Sequence, residues 1–329
     1  MNRLAILGAG SWGTALSIAL AQRFASVRVW ARDPAKAYEI AELRENRPYL
    51  PHFDLPAQVA VSHDLAATLE NADVVLSAIP SAHLRTIWQI AAPYVPPGAA
   101  IVSATKGIEE GTLCRMSQVV QEACPDSKIA VLSGPTFAQE IAAGEPAAVV
   151  IASANSDVAN QIQRAFATPT LRLYASQDVI GVELGAALKN VIAIGAGICR
   201  GLGLGSNSVA ALVTRGLAEI TRLALVMGGC QRTLSGLAGL GDLVLTATGN
   251  LSRNRALGMQ LGQGHKLSEI LASTTMVAEG VSTCLAAHQL GTAQGVDLPI
   301  IYKMYQVLYE EKDPRTAIRE LMERPLTSE

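Results

Sequence analysis

The chain has 329 residues, half of them apolar, which is enough for about two domains that each bury a core. Its 26 basic and 28 acidic residues leave a formal charge of −2, and no basic run carries interleaved aromatics. A positive field for nucleic acid is therefore excluded, and an anionic ligand must be held by local groups.

The cysteines (Cys114, Cys124, Cys199, Cys230, Cys284) are odd in number and never form a C-x-x-C pair, which argues against a disulfide framework or thiolate metal site. The histidines share no ligand spacing, so no metal is expected. A first strand starting at Leu4, and the lack of an uninterrupted apolar run near the roughly 18 residues of a membrane span, predict a cytoplasmic, not membrane-embedded protein without a leader.

Leu4 to Leu7 is a short apolar run, followed by Gly8-Ala9-Gly10-Ser11-Trp12-Gly13 and a helical pattern from Thr14 to Phe24. Glycines between strand and helix have separate tasks: Gly8 for the tight turn, Gly10 for close approach of a diphosphate, Gly13 for packing helix on strand. The diphosphate would sit on the free amides of the helix start. The second strand, Val27 to Trp30, leads to Arg32 and Asp33, where such folds read the adenosine ribose. Arg32 suits a 2′-phosphate and favours NADP over NAD; Asp33, opening the predicted helix Pro34 to Arg44, is either its cap or a ribose ligand.

Further strands are predicted at Val59 to Val61, Val74 to Ala78, Ala100 to Ser103, Ile129 to Leu132, Ala147 to Ala152 and Leu171 to Tyr174. With helices between most of them, this is an α/β, Rossmann-type, doubly wound and mainly parallel sheet. Its crevice lies beyond the carboxyl ends of the strands, at Ile79-Pro80-Ser81, Thr105-Lys106-Gly107 and Ser133-Gly134-Pro135-Thr136. Lys106, directly after its strand, is there either a ligand or a solvated charge.

After Tyr174 the strand pattern stops and helical periodicity runs on, interrupted by glycine clusters at Gly195 to Gly205 and Gly228-Gly229. We place a dinucleotide-binding domain over 1–180 and an all-α substrate-binding, catalytic domain over 181–329. Between Leu184 and Ile198, Lys189 is the single charge among apolar and small residues, with Gly185, Ile192 and Ala193 as helical neighbours. Such a lysine either snorkels to water or pairs with a partner. Farther on, Gly236 to Asp242 is glycine-rich, and Leu251-Ser252-Arg253-Asn254-Arg255 reads as an N-cap and a basic first helical turn. Positive side chains beside the positive end of a helix dipole are unfavourable unless an anion lies between them, which points to a phosphate.

The motifs GAGSWGTALS, IPS, TKGIE, SGPTFAQEIA, ELGAALKNVIAI, GLAGLGDL with LSRNR, and AEGVSTC resemble those of bacterial-type NAD(P)-dependent glycerol-3-phosphate dehydrogenases over nearly the whole chain. The resemblance departs at Thr246-Ala247-Thr248-Gly249-Asn250. It implies interconversion of dihydroxyacetone phosphate and sn-glycerol 3-phosphate, for phospholipid synthesis, with NADP or NAD as cofactor, and it admits a homodimer. For the cofactor it implies Gly8, Gly10, Ser11, Trp12, Gly13, Arg32, Tyr49, Lys106, Ala138, Arg253, Val277 and Glu279. For the substrate it implies Lys106, Gly134, Thr136, Lys189, Asp242, Ser252, Arg253 and Asn254. Lys189 would transfer the proton, with Asp242 and Lys106 as its catalytic companions. The alternatives are a β-hydroxyacid dehydrogenase or ketopantoate reductase-like enzyme, whose carboxylate substrates have no need of the Ser-Arg-Asn turn, and a non-catalytic NAD(P)H sensor, which has no need of Lys106, Lys189 and Asp242 together.

Overall fold

The computed structural model describes residues 1–273 and 279–326. In chain order its strands are β1 (Arg3–Leu7), β2 (Ser26–Trp30), β3 (Glu45–Asn46), β4 (Leu50–Asp54), β5 (Val59–Ser62), β6 (Val74–Ser77), β7 (Ala100–Ser103), β8 (Lys128–Ser133), β9 (Ala147–Ala152) and β10 (Leu171–Ser176). Eight of them form one sheet in the order β10-β9-β8-β7-β6-β1-β2-β5, and β3 and β4 form a separate antiparallel hairpin. The central strands β6 and β7 are buried at every residue, as expected for a sheet covered on both faces.

All pairings in the large sheet are parallel except β8 with β9, where Val131 faces Ala152 and Leu132 faces Ile151. An antiparallel return needs no long crossover, so residues 134–146, with only the short helix Ala138–Ala142, join the two strands. The chain winds outward in both directions from the β1–β6 boundary, and the glycine turn after β1 lies at this switch point.

Two compact units make up the chain. The first comprises Met1–Lys106 and Arg115–Val182; the second comprises Gly107–Cys114 and the chain from Glu183 onward. Residues 107–114 thus pack with the helical unit although they lie between β7 and β8, which no local composition shift signals.

The second unit is built around the helix Val179–Gly201, buried without a break from 181 to 199. Its length and mean hydropathy of 1.6 would suit a membrane span, but 89% of its most apolar window is buried inside the protein. Of the glycine cluster expected to interrupt the helical pattern from 195 to 205, Gly195 and Gly197 lie inside this helix and Gly201 ends it, so the break falls only at 202–205. Gly197 and Gly201 admit its neighbours: a methyl on Gly197 would lie 2.0 Å from the Arg255 carbonyl oxygen, and one on Gly201 2.2 Å from that of Met259. Gly258 and Gly262, in the helix Arg253–Gly262, face the Ile194 and Ile198 carbonyls in the same way. Two helices whose contact rows both carry glycine every fourth residue can bring their backbones together.

Glu219, in the helix Ser206–Val226, is 2% exposed and accepts hydrogen bonds from the amides of Ile300 (2.7 Å) and Ile301 (3.1 Å). It thereby caps the helix Pro299–Tyr309, whose own N-cap residue Leu298 supplies no side-chain bond. Burial pushes the Glu219 carboxyl up to about 7 from 4.5, against the pull of the two amides and Arg222 and with a further push from Asp297. An acid whose pKa is raised on folding binds its proton more tightly in the native state, so its contribution to stability is full below 4.5 and is lost as the pH rises through about 7. Relative to Glu219→Gln, which does not titrate, the stability of the unmodified protein should therefore fall by up to about 3 kcal/mol between these limits and level off above them. Denaturant melts of both proteins from pH 4.5 to 8 read the difference; a constant gap would rule out the linkage.

Candidate functional site

In the first unit the turn after β1 has the shape a diphosphate requires. Gly8 stands at φ +112°, and a methyl on it would meet the Ala78 carbonyl at 2.7 Å; one on Gly13 would meet the Gly8 carbonyl at 1.9 Å. A methyl on Gly10 would meet nothing within 4 Å. The turn is thus closed on its protein side and open at the glycine assigned to the ligand, ahead of the helix Ser11–Leu20, whose first amides have no side-chain cap. The Trp12 indole nitrogen is buried without a hydrogen-bond partner among the described residues. These features suit a bound dinucleotide.

Ser11 donates its hydroxyl to the Tyr49 carbonyl at 2.7 Å, and Lys36 Nζ donates to the Tyr49 hydroxyl at 3.2 Å, so the predicted cofactor residues Ser11 and Tyr49 are neighbours. Asp33 accepts from the amides of Ala35 and Lys36 and is the cap of the helix Pro34–Leu43. Between the two roles the sequence leaves open, the structure shows the cap, and Arg32 stands exposed beside it at the end of β2.

Beyond β7 and β8, Lys106 Nζ donates to the Gly134 carbonyl at 3.4 Å and the Thr136 hydroxyl donates to the same oxygen at 3.2 Å. Gly134 has φ +151°, and a methyl there would press on Val149 Cα at 2.9 Å. Three predicted substrate residues thus meet at one carbonyl, with Ala138 opening the next helix, Ala138–Ala142.

In the second unit Lys189 is 4% exposed and Asp242 fully buried. Their ion pair measures 2.5 Å from Nζ to Oδ1, and Nζ also donates to the Thr246 hydroxyl at 2.7 Å. The Thr246 hydroxyl donates in turn to the Asp242 carbonyl at 2.6 Å. Lys189 therefore does not snorkel. Thr246 is a contact that sequence reading missed, falling within the departing stretch; its spacing of four from Asp242 in the helix Asp242–Thr248 is the signal that could have found it.

A π-helical turn, Leu237–Gly241, delivers Asp242 to the lysine. Its approach depends on Gly185, where a methyl would stand 2.6 Å from the Ala238 carbonyl, and on Gly239, where one would stand 2.1 Å from that of Leu234. Gly185, Lys189, Ala193, Gly197 and Gly201 form one i, i+4 row on the buried helix. The π turn packs at its beginning and the helix Arg253–Gly262 at its end, with Lys189 between them.

Ser252 caps that second helix by accepting from the Arg255 amide at 3.2 Å. The facing pairs Gly197 with Arg255 and Gly201 with Met259 show that the two helices run parallel. The start of the Arg253 helix therefore lies within about one turn of Lys189 along the axis. Arg253 is exposed, and Asn254 is buried with its Oδ1 accepting from the Gly280 amide at 3.0 Å. Asn254 so holds the start of the helix Glu279–Ala293, next to Asn190, whose carbonyl would be 2.9 Å from a methyl on Gly280. Val277 lies outside the described residues. The stretch that departs from the resemblance is closed by local bonds: Thr248 donates to the Val244 carbonyl at 2.7 Å and Arg255 to Asn250 Oδ1 at 3.2 Å.

Comparison with known proteins agrees with this arrangement. Residues 3–159 match the family model for the NAD-dependent glycerol-3-phosphate dehydrogenase N-terminus and residues 178–319 the model for its C-terminus. The chain is 50% identical to the glycerol-3-phosphate dehydrogenase [NAD(P)+] of Koribacter versatilis, covering 100% of this chain and 99% of that one. It is 49% identical to the enzyme of the same name from Citrifermentans bemidjiense, with the same coverage. The crystal structure of glycerol-3-phosphate dehydrogenase from Coxiella burnetii superposes with a TM-score of 0.95 at 39% identity, over 98% of this chain and 99% of that one. With both halves matched and relatives this similar over their full length, the chain belongs to the NAD(P)-dependent glycerol-3-phosphate dehydrogenase family.

Proposed function

We propose that this chain interconverts dihydroxyacetone phosphate and sn-glycerol 3-phosphate, with Lys189 as its acid and base. The observation that carries the catalytic assignment is the buried ammonium of Lys189 held between Asp242 and Thr246. The nicotinamide, when bound, supplies or accepts the hydride. As the carbonyl carbon is reduced, negative charge grows on its oxygen, which needs a fixed cation and a proton. Lys189 provides both: two contacts fix its rotation about the last bond, and burial strengthens its field. In the oxidative direction its neutral amine takes the hydroxyl proton. Asp242 orients the lysine and balances its charge, and the Thr246 hydroxyl relays that orientation from the backbone of the same helix.

The phosphate, remote from the reacting carbon, is assigned to Arg253 and the capped start of its helix, where binding energy positions the carbonyl. Lys106, Gly134 and Thr136 are proposed as further substrate contacts, with the cofactor on the glycine turn and the remaining cofactor residues in the roles given above. The exposed Arg32 beside an Asp33 occupied as a cap supports NADP as the preferred cofactor. A cytoplasmic location and a supply role in phospholipid synthesis accompany this reading.

The direct test is the absorbance of reduced nicotinamide with purified protein and dihydroxyacetone phosphate, comparing NADPH with NADH. No oxidation with either would sink the assignment, and a preference for NADH would overturn the role given to Arg32. Arg253→Ala should remove a charge-assisted contact of about 1.5 to 3 kcal/mol, raising KM for dihydroxyacetone phosphate roughly 10- to 150-fold with a smaller change in cofactor binding. An unchanged KM would return Arg253 to the solvated surface.

A further inference from the structure

The β3–β4 hairpin reaches the glycine turn through a residue that no motif singles out. Asn46 is 0% exposed. Its Nδ2 donates to the Ala9 carbonyl at 2.9 Å and to the Thr14 hydroxyl at 2.7 Å. Ala9 lies between Gly8 and Gly10, and Thr14 lies in the first turns of the helix that follows. One buried amide therefore ties the strand side of the turn to the helix side, and the Ser11 bond to the Tyr49 carbonyl fastens the turn to the same hairpin a second time.

The chemistry of this tether is specific. A carbonyl dipole in an anion-binding turn repels the anion if it points outward; here the Ala9 oxygen is taken up by a buried donor. Both donors of the amide are used, while its Oδ1 has no partner among the described residues. A buried orphan oxygen is unfavourable, and its retention is what a site selected for two donors without a charge would show. An aspartate would offer acceptors only and add a negative charge behind the diphosphate.

We infer that Asn46 is a positioning residue for the dinucleotide: it touches no substrate atom but sets the backbone that receives the diphosphate. The inference rests on reading the first unit as dinucleotide-binding, so the unmodified protein is first titrated with NADPH and NADH by fluorescence. Absence of binding there would refute that reading itself. If the cofactor binds, Asn46→Ala should raise its Kd and KM about 10- to 100-fold, while kcat at saturating cofactor and KM for dihydroxyacetone phosphate stay within about threefold.

Asn46→Asp adds a readout that lost packing cannot imitate. Ionised, it cannot donate to Ala9; protonated, it can donate once, so its cofactor Kd should tighten as the pH falls from about 8 to 5, relative to the unmodified protein. Should Asn46→Ala fail to fold, Thr14→Val deletes one acceptor with little change of shape and should weaken the cofactor about 3- to 10-fold. Unaltered cofactor affinity in a folded variant overturns the inference, as does a loss spread equally over kcat and both KM values.

Discussion

Lys189→Met should lower turnover by at least about 10²- to 10⁴-fold, and further if the ammonium also stabilises the developing alkoxide. The substitution keeps an unbranched apolar stem of similar volume, so it separates charge from packing. It also leaves Asp242 buried without its cation, which costs about 3 to 5 kcal/mol of stability when one partner of a buried pair is removed. Folding must accordingly be checked by circular dichroism on the same sample. The double variant Lys189→Met with Asp242→Asn should recover much of that stability and none of the turnover. Cofactor titration by fluorescence should remain near normal, because the glycine turn lies in the other unit. Turnover that survives in the folded single variant would leave Lys189 a purely structural ion pair.

Gly258→Ala should destabilise the second unit by about 2 to 3 kcal/mol or more, although alanine is by itself the better helix former by about 1 kcal/mol. The added methyl would stand 2.0 Å from the Ile194 carbonyl oxygen and 2.8 Å from its carbon. Both are backbone atoms of the buried helix and cannot turn aside as a side chain would. The two helices must separate, and Arg253 and Asn254 move with the one that yields. A raised KM for dihydroxyacetone phosphate should therefore accompany a lowered Tm, with a smaller effect on cofactor affinity. Gly205→Ala is the control: a methyl there meets nothing within 4 Å, and its effect should stay within about 1 kcal/mol. Equal melting of the two variants would show that the crossing tolerates the methyl.

The sequence by itself determined the alternation of strand and helix up to Tyr174 apart from the β3–β4 hairpin, the glycine turn between β1 and its helix, and the isolation of Lys189 in an apolar helix. It also contained the caps at Asp33 and Ser252. Each of these depends on residues within about four positions of one another, where strand alternation, helical rows and capping bonds act, and such spacings are visible along the chain.

The resemblance already set Asp242 beside Lys189, but tertiary structure alone decided how the partners meet. Asp242 meets Lys189 across 53 residues because a π turn and Gly185 let two backbones approach, and Asn46 reaches Ala9 across 37 because a short hairpin folds back on the turn. Gly197 and Gly201 illustrate the difference. Along the chain they resemble a break in a helix, since glycine weakens helices; in the fold they lie within one, since burial against a second backbone outweighs that local cost. Packing is a property of two surfaces together, and a single stretch of sequence holds only one of them.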